Sequence, residues 1–437
     1  MPVNFSVTLI GSALLACLLA GWLARSYIPE PPSRVVGIDL GTTYSSIAVY
    51  NPVNGRAEVV ADASGRKSIA SVVGFLENGT VLVGAEAVAQ SEKNPSATLY
   101  DAKRFVGKTF VSGSEAFVRE QKRYSFSVKL DKDGLAYFEL PQPQSKVIRP
   151  EEVGALVLGH LKKMAERRLQ VTVAHAVMSV PAEFDADQRN TTVRAAQLAG
   201  LDVFRIVSEP TAAALAYGLH RKPNVEYIVV VDLGGGTLDV SVLWLQGGMF
   251  ATLGMAGNNR LGGQDFNERL LQRLLQVVGD KHGVQLSDKE DLQNLRLAVE
   301  AAKLRLTDYQ SASINLRLKT VGRFHYILTR LEFEHLNEDL FERVLQPIRA
   351  ALDDVQLKPS DVDEIVLVGG STRVPRVRKV VGEFFKRAPN FGVDPELAVV
   401  MGVALQAGIL SDGKNVQAAV IELPPVRRKR HIYVDDV

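Results

Sequence analysis

Two segments place carboxylates and hydroxyls around glycine turns at matching spacing. Val229-Val230-Val231-Asp232-Leu233-Gly234-Gly235-Gly236-Thr237-Leu238-Asp239-Val240-Ser241 reads as a buried strand, a glycine turn and a second strand, within the stretch 227–245. Val35-Val36-Gly37-Ile38-Asp39-Leu40-Gly41-Thr42-Thr43-Tyr44-Ser45-Ser46 repeats the pattern in the first half, and Gly369-Gly370-Ser371-Thr372 adds a third glycine turn. Such turns expose backbone N–H groups and admit a phosphate without obstruction by Cβ. Hydroxyls at Thr42, Thr43 and Thr237 add donors. Asp39, Asp232 and Asp239 would repel phosphate unless a cation lies between, and Mg2+ suits because it keeps its waters and takes one or two carboxylates plus phosphate oxygens. One such turn alone is an ordinary hairpin, but the set predicts a duplicated architecture clamping a nucleotide's phosphates and a metal. Neither a Walker pattern nor a dinucleotide G-x-G-x-x-G motif fits these segments.

The elements that must position these turns follow from periodicity and punctuation. Short glycine-punctuated strands run to about Gly84, Asp101-Ala102-Lys103-Arg104-Phe105 lies in a loop or short helix, and Asp133-Gly134 turns a hairpin. Pro150 opens a helix with Val153, Val157, Leu161 and Met164 at helical spacing; strand 174–180 stops at Pro181, and helix 185–199 stops at Gly200. Strand 203–207 leads into Glu209-Pro210-Thr211 and an alanine-rich helix. In the second half, Leu261-Gly262-Gly263-Gln264-Asp265-Phe266 enters a helix, and Ser287 with Glu290 forms a capping-box signature for a long helix carrying Glu300 and Lys303. A hairpin over 313–328, a helix through about Leu352, strand 364–368, a helix begun by Pro375 and a last helix over 395–410 complete the order.

The chain's 437 residues exceed what one domain needs, and 51 Lys+Arg against 49 Asp+Glu give no global pull toward nucleic acid. Residues 5–24 form an uncharged apolar run long enough to span a bilayer, read as a cleaved signal or a retained anchor, with a buried helix as the third alternative. The first two direct the chain to the secretory pathway, and Asn78-Gly79-Thr80 and Asn190-Thr191-Thr192 are glycosylation sequons there. The single cysteine, Cys17, lies inside that run, which excludes disulfides and cysteine-metal chemistry from the body. The C-terminus carries no ER-retrieval signal.

Ile38-Asp39-Leu40-Gly41-Thr42-Thr43-Tyr44-Ser45, Asp101-Ala102-Lys103-Arg104, Val180-Pro181-Ala182-Glu183-Phe184, Glu209-Pro210-Thr211-Ala212-Ala213-Ala214, Asp232-Leu233-Gly234-Gly235-Gly236-Thr237 and Val368-Gly369-Gly370-Ser371-Thr372-Arg373 together resemble the nucleotide-binding domain of the stress-70 (70-kDa heat-shock) chaperone family. The likeness runs from about Arg34 to about Leu410, and it is strongest to a microsome-associated branch that consists of an ATPase core without a peptide-binding domain. It implies an α/β, actin-like fold: two lobes, each with a ribonuclease-H-like sheet flanked by helices, and a nucleotide cleft between them. The expected organisation is 1–26 signal or anchor, 27–33 proline-rich linker, 34–219 lobe I completed by 395–411, 220–394 lobe II, and 412–437 basic tail.

The same resemblance implies ATP/ADP and Mg2+ as cofactors. Asp39 and Asp232 would hold the metal; Gly41, Thr42, Thr43, Tyr44, Gly234, Gly235, Gly236 and Thr237 would contact phosphates. Lys103, Glu209, Asp239 and Thr237 would serve hydrolysis, although by itself Lys103 reads as a solvated surface lysine and Glu209 as a helix-start carboxylate. Glu300, Lys303, Thr307, Gly370, Ser371, Arg373 and Glu396 would line the ribose and base. Implied partners are nucleotide, cochaperones, exchange factors or ubiquitin-pathway adaptors, with no nucleic acid, membrane contact through 5–24, and a monomeric chain in the endoplasmic reticulum lumen or on the microsomal membrane. Leu304 departs from the family, which commonly has Arg there over one adenine face; Thr307 replaces a serine, Gln264 a glutamate and Glu396 an aspartate. Leu304 forfeits a cation–π contribution of about 0.5 to 2 kcal/mol, which predicts weakened nucleotide binding with the phosphate chemistry retained. Beyond the last helix Gln417-Ala418-Ala419-Val420-Ile421-Glu422-Leu423-Pro424-Pro425 replaces the family's linker, and Arg427-Arg428-Lys429-Arg430-His431 reads as a solvated basic cluster. The expectation is a peptide-independent ATPase; a nucleotide-gated scaffold and, on the same superfold, a small-molecule kinase are the alternatives.

Overall fold

β-Branched residues running into Asp-Leu-Gly start both sheets. In the computed structural model, which describes residues 34–412 except 92, 122, 143 and 144, together with 15, 421–422 and 432–434, strand β1 (Arg34–Leu40) turns through 41–43 into antiparallel β2 (Tyr44–Asn51), and β3 (Arg56–Val59) extends that edge. On its other side β1 pairs parallel with β4 (Val173–Val180), and β4 with β5 (Asp202–Ser208). Parallel neighbours need a crossover. Helix α1 (Pro150–Leu169) precedes β4, and α2 (Ala186–Leu198) joins β4 to β5.

The second sheet repeats the scheme. Strand β6 (Tyr227–Leu233) turns through 234–237 into antiparallel β7 (Leu238–Gln246), followed by β8 (Met249–Asn258), while β9 (Glu364–Val368) flanks β6 in parallel. In each sheet a glycine turn therefore sits at the end of a strand with a parallel neighbour beside it. The two turns of the sequence are thus duplicated in structure as well.

Helices α3 (Glu209–Ala216), α4 (Gly263–His282), α5 (Lys289–Arg305), α6 (Leu345–Asp354), α7 (Pro375–Phe385) and α8 (Ala398–Asp412) cover the sheets. One core of the first sheet holds Phe105, Phe126 and Phe138, and one of the second holds Phe266, Phe333 and Phe341. A third joins the sheets, with α3 and α8 packed against Val177 of β4, Ile228 of β6 and Val366 of β9. Val400 and Val403 of α8 are fully buried there, each worth about 1.5 to 3 kcal/mol. Close approach of α8 requires glycine: a methyl on Gly402 would lie 1.8 Å from the Ala212 carbonyl oxygen.

Several boundaries differ from the sequence reading. The N-cap of α5 is Asp288, whose carboxylate accepts from the N–H groups of Glu290 and Asp291 at 3.0 Å each, so Ser287 does not cap it. The single helix expected through Leu352 is broken into Arg330–Leu336, Glu338–Arg343 and α6. At the first break the Asn337 side chain donates to the Phe333 carbonyl at 2.9 Å, and Pro347 at the third position of α6 has no N–H to continue a preceding turn. The last helix begins at Ala398 rather than 395, because Pro395 lies in a turn that gives its carbonyl to the Gly369 N–H at 3.0 Å. Parts of the expected tail join the second sheet: Ile421–Glu422 and Ile432–Tyr433 both pair parallel with β8. The run 5–24, apart from Leu15, and the cluster 427–431 lie outside the described residues. Among the described residues no helix is long and apolar enough to cross a membrane.

Candidate active site

Lobe I delivers four of the charged groups. Asp39 is the penultimate residue of β1, and Ser179 of the parallel neighbour β4 donates its hydroxyl to Asp39 Oδ1 at 2.7 Å. Lys103 sits in a one-turn 3-10 helix, Ala102–Arg104, entered through Asp101 in the left-handed region at φ 56°. Its Nζ reaches Glu209 Oε1 at 2.6 Å, and Glu209 is the first residue of α3, where the helix dipole favours a carboxylate. Burial pushes the Asp39 and Glu209 carboxyls up, and the Lys103 ammonium pulls both back. For Lys103, burial works against the charge, but Glu209 and Asp39 outweigh it and hold the ammonium above its ordinary value. Glu183, just after Pro181, adds its charge to the surroundings of both Lys103 and Glu209.

Lobe II supplies the opposing wall. Asp232 stands near the end of β6 directly across from Asp239 on β7. Burial, followed by the charges of Glu209, Asp239 and Asp39, drives the Asp232 carboxyl well above the usual carboxylate range. Gly369 packs on it: at φ +83°, a methyl there would lie 2.3 Å from the Leu233 carbonyl oxygen and 2.7 Å from Asp232 Oδ1. The Gly234 N–H donates to the Thr237 carbonyl at 3.0 Å, closing the turn, and the start of α4 is bonded to it through Gly263 N–H to Gly234 O at 3.1 Å and Gln264 N–H to Gly235 O at 2.7 Å. The turns of the two lobes face each other, since a methyl on Gly235 would lie 3.9 Å from Thr43 Oγ1 and one on Gly236 would lie 3.6 Å from an Arg104 guanidinium nitrogen. Between the lobes a cavity of about 20 Å3, room for one water, is lined by Pro181, Glu183 and Glu209 from one side and Asp232, Asp239 and Ser241 from the other.

A second group of expected residues gathers beside α4 and α5. Lys303 pairs with Glu300 at 2.8 Å and donates to the Gly263 carbonyl at 3.3 Å, while Asn267 also donates to Glu300. Ser371 donates to the Gly234 carbonyl at 2.8 Å, so this hydroxyl supports the phosphate turn. Arg373 pairs with Asp394 and, at 3.4 Å, with Glu396, whose carboxylate lies against Gly370. The Tyr44 phenol is raised by burial and then by the charges of Glu300 and Glu396. Leu304 is 57% exposed. The next residue, Arg305, is stacked on Tyr309 at 4.3 Å. Thr307 lies in the turn after α5, its N–H on the Leu304 carbonyl and its carbonyl accepting from Arg330. The sequence reading gave no role to Ser179, Glu183 or Ser241. For Glu183 the signal was its place in the Val180-to-Phe184 motif; Ser179 reaches Asp39 only through the parallel register of β1 and β4, for which the sequence carried no local signal.

The donor set suits a nucleotide held through a hydrated dication. Asp39, Glu183, Glu209 and Asp232 share the field of the Lys103 ammonium, and Asp239 stands across the strand pair from Asp232. Mg2+ is commonly held by one or two carboxylates, with water and phosphate completing its shell, and Asp39 and Asp232 offer such a pair. Comparison with known proteins agrees with this arrangement. The Hsp70 protein family profile matches residues 35–423. The chain is 46% identical to heat shock 70 kDa protein 13 of Mus musculus, Rattus norvegicus and Homo sapiens, over 96% of its own length and 97% of theirs. It therefore belongs to the Hsp70, or stress-70, family of chaperone ATPases, built as two actin-like lobes around a nucleotide cleft.

Proposed function

We propose that the chain binds ATP with Mg2+ in the inter-lobe cleft and hydrolyses it without coupling to a bound peptide. The observation that carries this reading is the buried Lys103–Glu209 pair, 2.6 Å apart, set among Asp39, Asp232 and Asp239 beside two facing glycine turns. Asp39 and Asp232 would hold the metal, which when bound offsets phosphate charge. Gly41, Thr42, Thr43 and Tyr44 from lobe I, and Gly234, Gly235, Gly236 and Thr237 from lobe II, would donate to the phosphates. Lys103 orients the attacking water and balances charge on the terminal phosphate; Glu209 and Asp239 take the water's proton. Glu300, Lys303, Thr307, Gly370, Ser371, Arg373 and Glu396 form the ribose and base side. The division into 34–219 with 395–411 and 220–394 assigns α8 to lobe I, supported by its packing on β1, where a methyl on Gly37 would lie 2.3 Å from Ala404 N.

Peptide independence rests on the likeness of the sequence to the branch of the family that consists of an ATPase core. An endoplasmic reticulum location rests on the apolar run 5–24 of the sequence. The test is single-turnover ATP hydrolysis with and without an unfolded peptide. A rate indifferent to peptide and lost in Lys103→Ala supports the reading. Tight ATP binding with no turnover sinks it in favour of a nucleotide-gated scaffold for cochaperones or exchange factors, and phosphate appearing on an added sugar would make the chain a kinase.

A further inference from the structure

The edge of the second sheet is occupied by the chain's own C-terminal residues. Ile432–Tyr433 pairs parallel with β8, with Ile432 beside Ala256 and Tyr433 beside Gly257. The Val434 N–H donates to the Gly257 carbonyl at 2.9 Å, and Asn258 Nδ2 donates to the Val434 carbonyl at 2.9 Å. Asn258 is 1% exposed. Its Oδ1 accepts from the Arg260 N–H at 2.8 Å, so one buried side chain ties the tail to the turn that follows β8.

That turn ends against the candidate phosphate site. A methyl on Gly262 would lie 2.5 Å from the Gly236 nitrogen, and the next two N–H groups, of Gly263 and Gln264, donate to the carbonyls of Gly234 and Gly235. Direct contacts thus run without a gap from Val434 through Asn258 and Arg260 to the glycine turn of lobe II. Ile432 adds an anchor, partly buried against the same core that holds α4. A strand in this position also covers N–H and C=O groups that an open edge would leave for any extended polypeptide.

We propose that residues 432–434 are a clasp on the 256–263 segment, and that their docking slows release of nucleotide from the glycine turn. The proposal rests on the ATP-site reading above. The slower release reflects tighter binding, and coupling between two binding free energies is reciprocal, so bound nucleotide also holds the tail down.

The experiment compares the intact chain with a chain ending at His431 and with Val434→Pro, which removes the N–H that reaches Gly257 and fixes φ at that position. Release of a fluorescent ADP analogue is followed with Mg2+ present, and amide exchange over 256–263 is followed without nucleotide. The expected result is faster exchange over 256–263 and release at least about fivefold faster in both variants, with a peptide of residues 430–437 restoring slow release to the shortened chain. Unchanged release in both variants, with the intact chain still binding the analogue, overturns the clasp alone. Failure of the intact chain to bind the analogue overturns the clasp together with the ATP reading.

Discussion

Removing the Lys103 ammonium should expose how much charge the cleft stores. Lys103→Met leaves Glu209 without its partner at 2.6 Å, and both side chains are largely buried, at 10% and 20% exposure. Breaking a buried pair by deleting one member costs about 3 to 5 kcal/mol, because the remaining charge stays desolvated. Glu209→Met should cost less, since Lys103 keeps Asp39 and Glu183 as partners whereas Glu209 alone faces repulsion from both. The double variant should therefore recover part of the loss, with a coupling of about 1 kcal/mol or more. The assay is urea unfolding of the nucleotide-free protein at several pH values. The folded pKa values of Asp39, Glu209 and Asp232 lie above their unfolded ones. Between those values the folded state binds more protons, so their ionisation destabilises the fold as pH rises and the penalty vanishes as pH falls through the folded pKa. Lys103 lowers all three carboxyls, so its loss raises them further, and the deficit of Lys103→Met should shrink as pH falls from neutral toward the ordinary carboxylate range. A deficit below about 1 kcal/mol, or one that does not change across that range, would refute the reasoning.

Other expectations follow from single contacts. Leu304→Arg should tighten ATP binding by about 0.5 to 2 kcal/mol in calorimetry, since an exposed leucine on the base side gives way to a guanidinium; unchanged affinity would remove Leu304 from the base pocket. Ser179→Ala should weaken Mg2+ binding about tenfold in a metal titration with ADP, while Ser179→Thr, which keeps the hydroxyl on Asp39 Oδ1, should not. Gly402→Ala should lower stability by about 1 to 3 kcal/mol in thermal unfolding, because the new methyl meets the Ala212 backbone and neither helix can move away cheaply.

The strand-turn-strand units were legible because two independent signals coincide in them: β-branched runs mark the strands and glycines mark the turns. Asp39, Asp232 and Asp239 could be singled out for the same reason, each lying at the end of a strand where side chains project over a turn. Ser179 was not legible. Its bond to Asp39 joins residues 140 apart in the chain and depends on the parallel register of β1 and β4, which no local pattern encodes. The choice of Asp288 over Ser287 as a cap depends on which of two adjacent side chains meets the free N–H groups, and periodicity does not resolve one residue. Asn337 broke a helix through its side-chain amide, whereas its residue type alone is tolerated within helices. The tail strands are two residues long, too short for any alternation to show.

The duplication is structural but its charges are unequal, and that inequality bears on motion. Asp39 has a hydroxyl on Oδ1 and shares the Lys103 field, while Asp232, driven well above the usual range, faces Glu209, Asp239 and Asp39. Lobe I holds the ammonium of Lys103 together with Asp39, Glu183 and Glu209, and lobe II brings Asp232 and Asp239 toward them. In a water-sized gap of low dielectric those like charges repel more strongly than they would in solvent. A dication held by Asp39 and Asp232, as proposed, would offset that repulsion. Closure of the lobes on this centre is accordingly an electrostatic event as well as a steric one, and Mg2+ with nucleotide should hold the cleft shut more firmly than nucleotide alone.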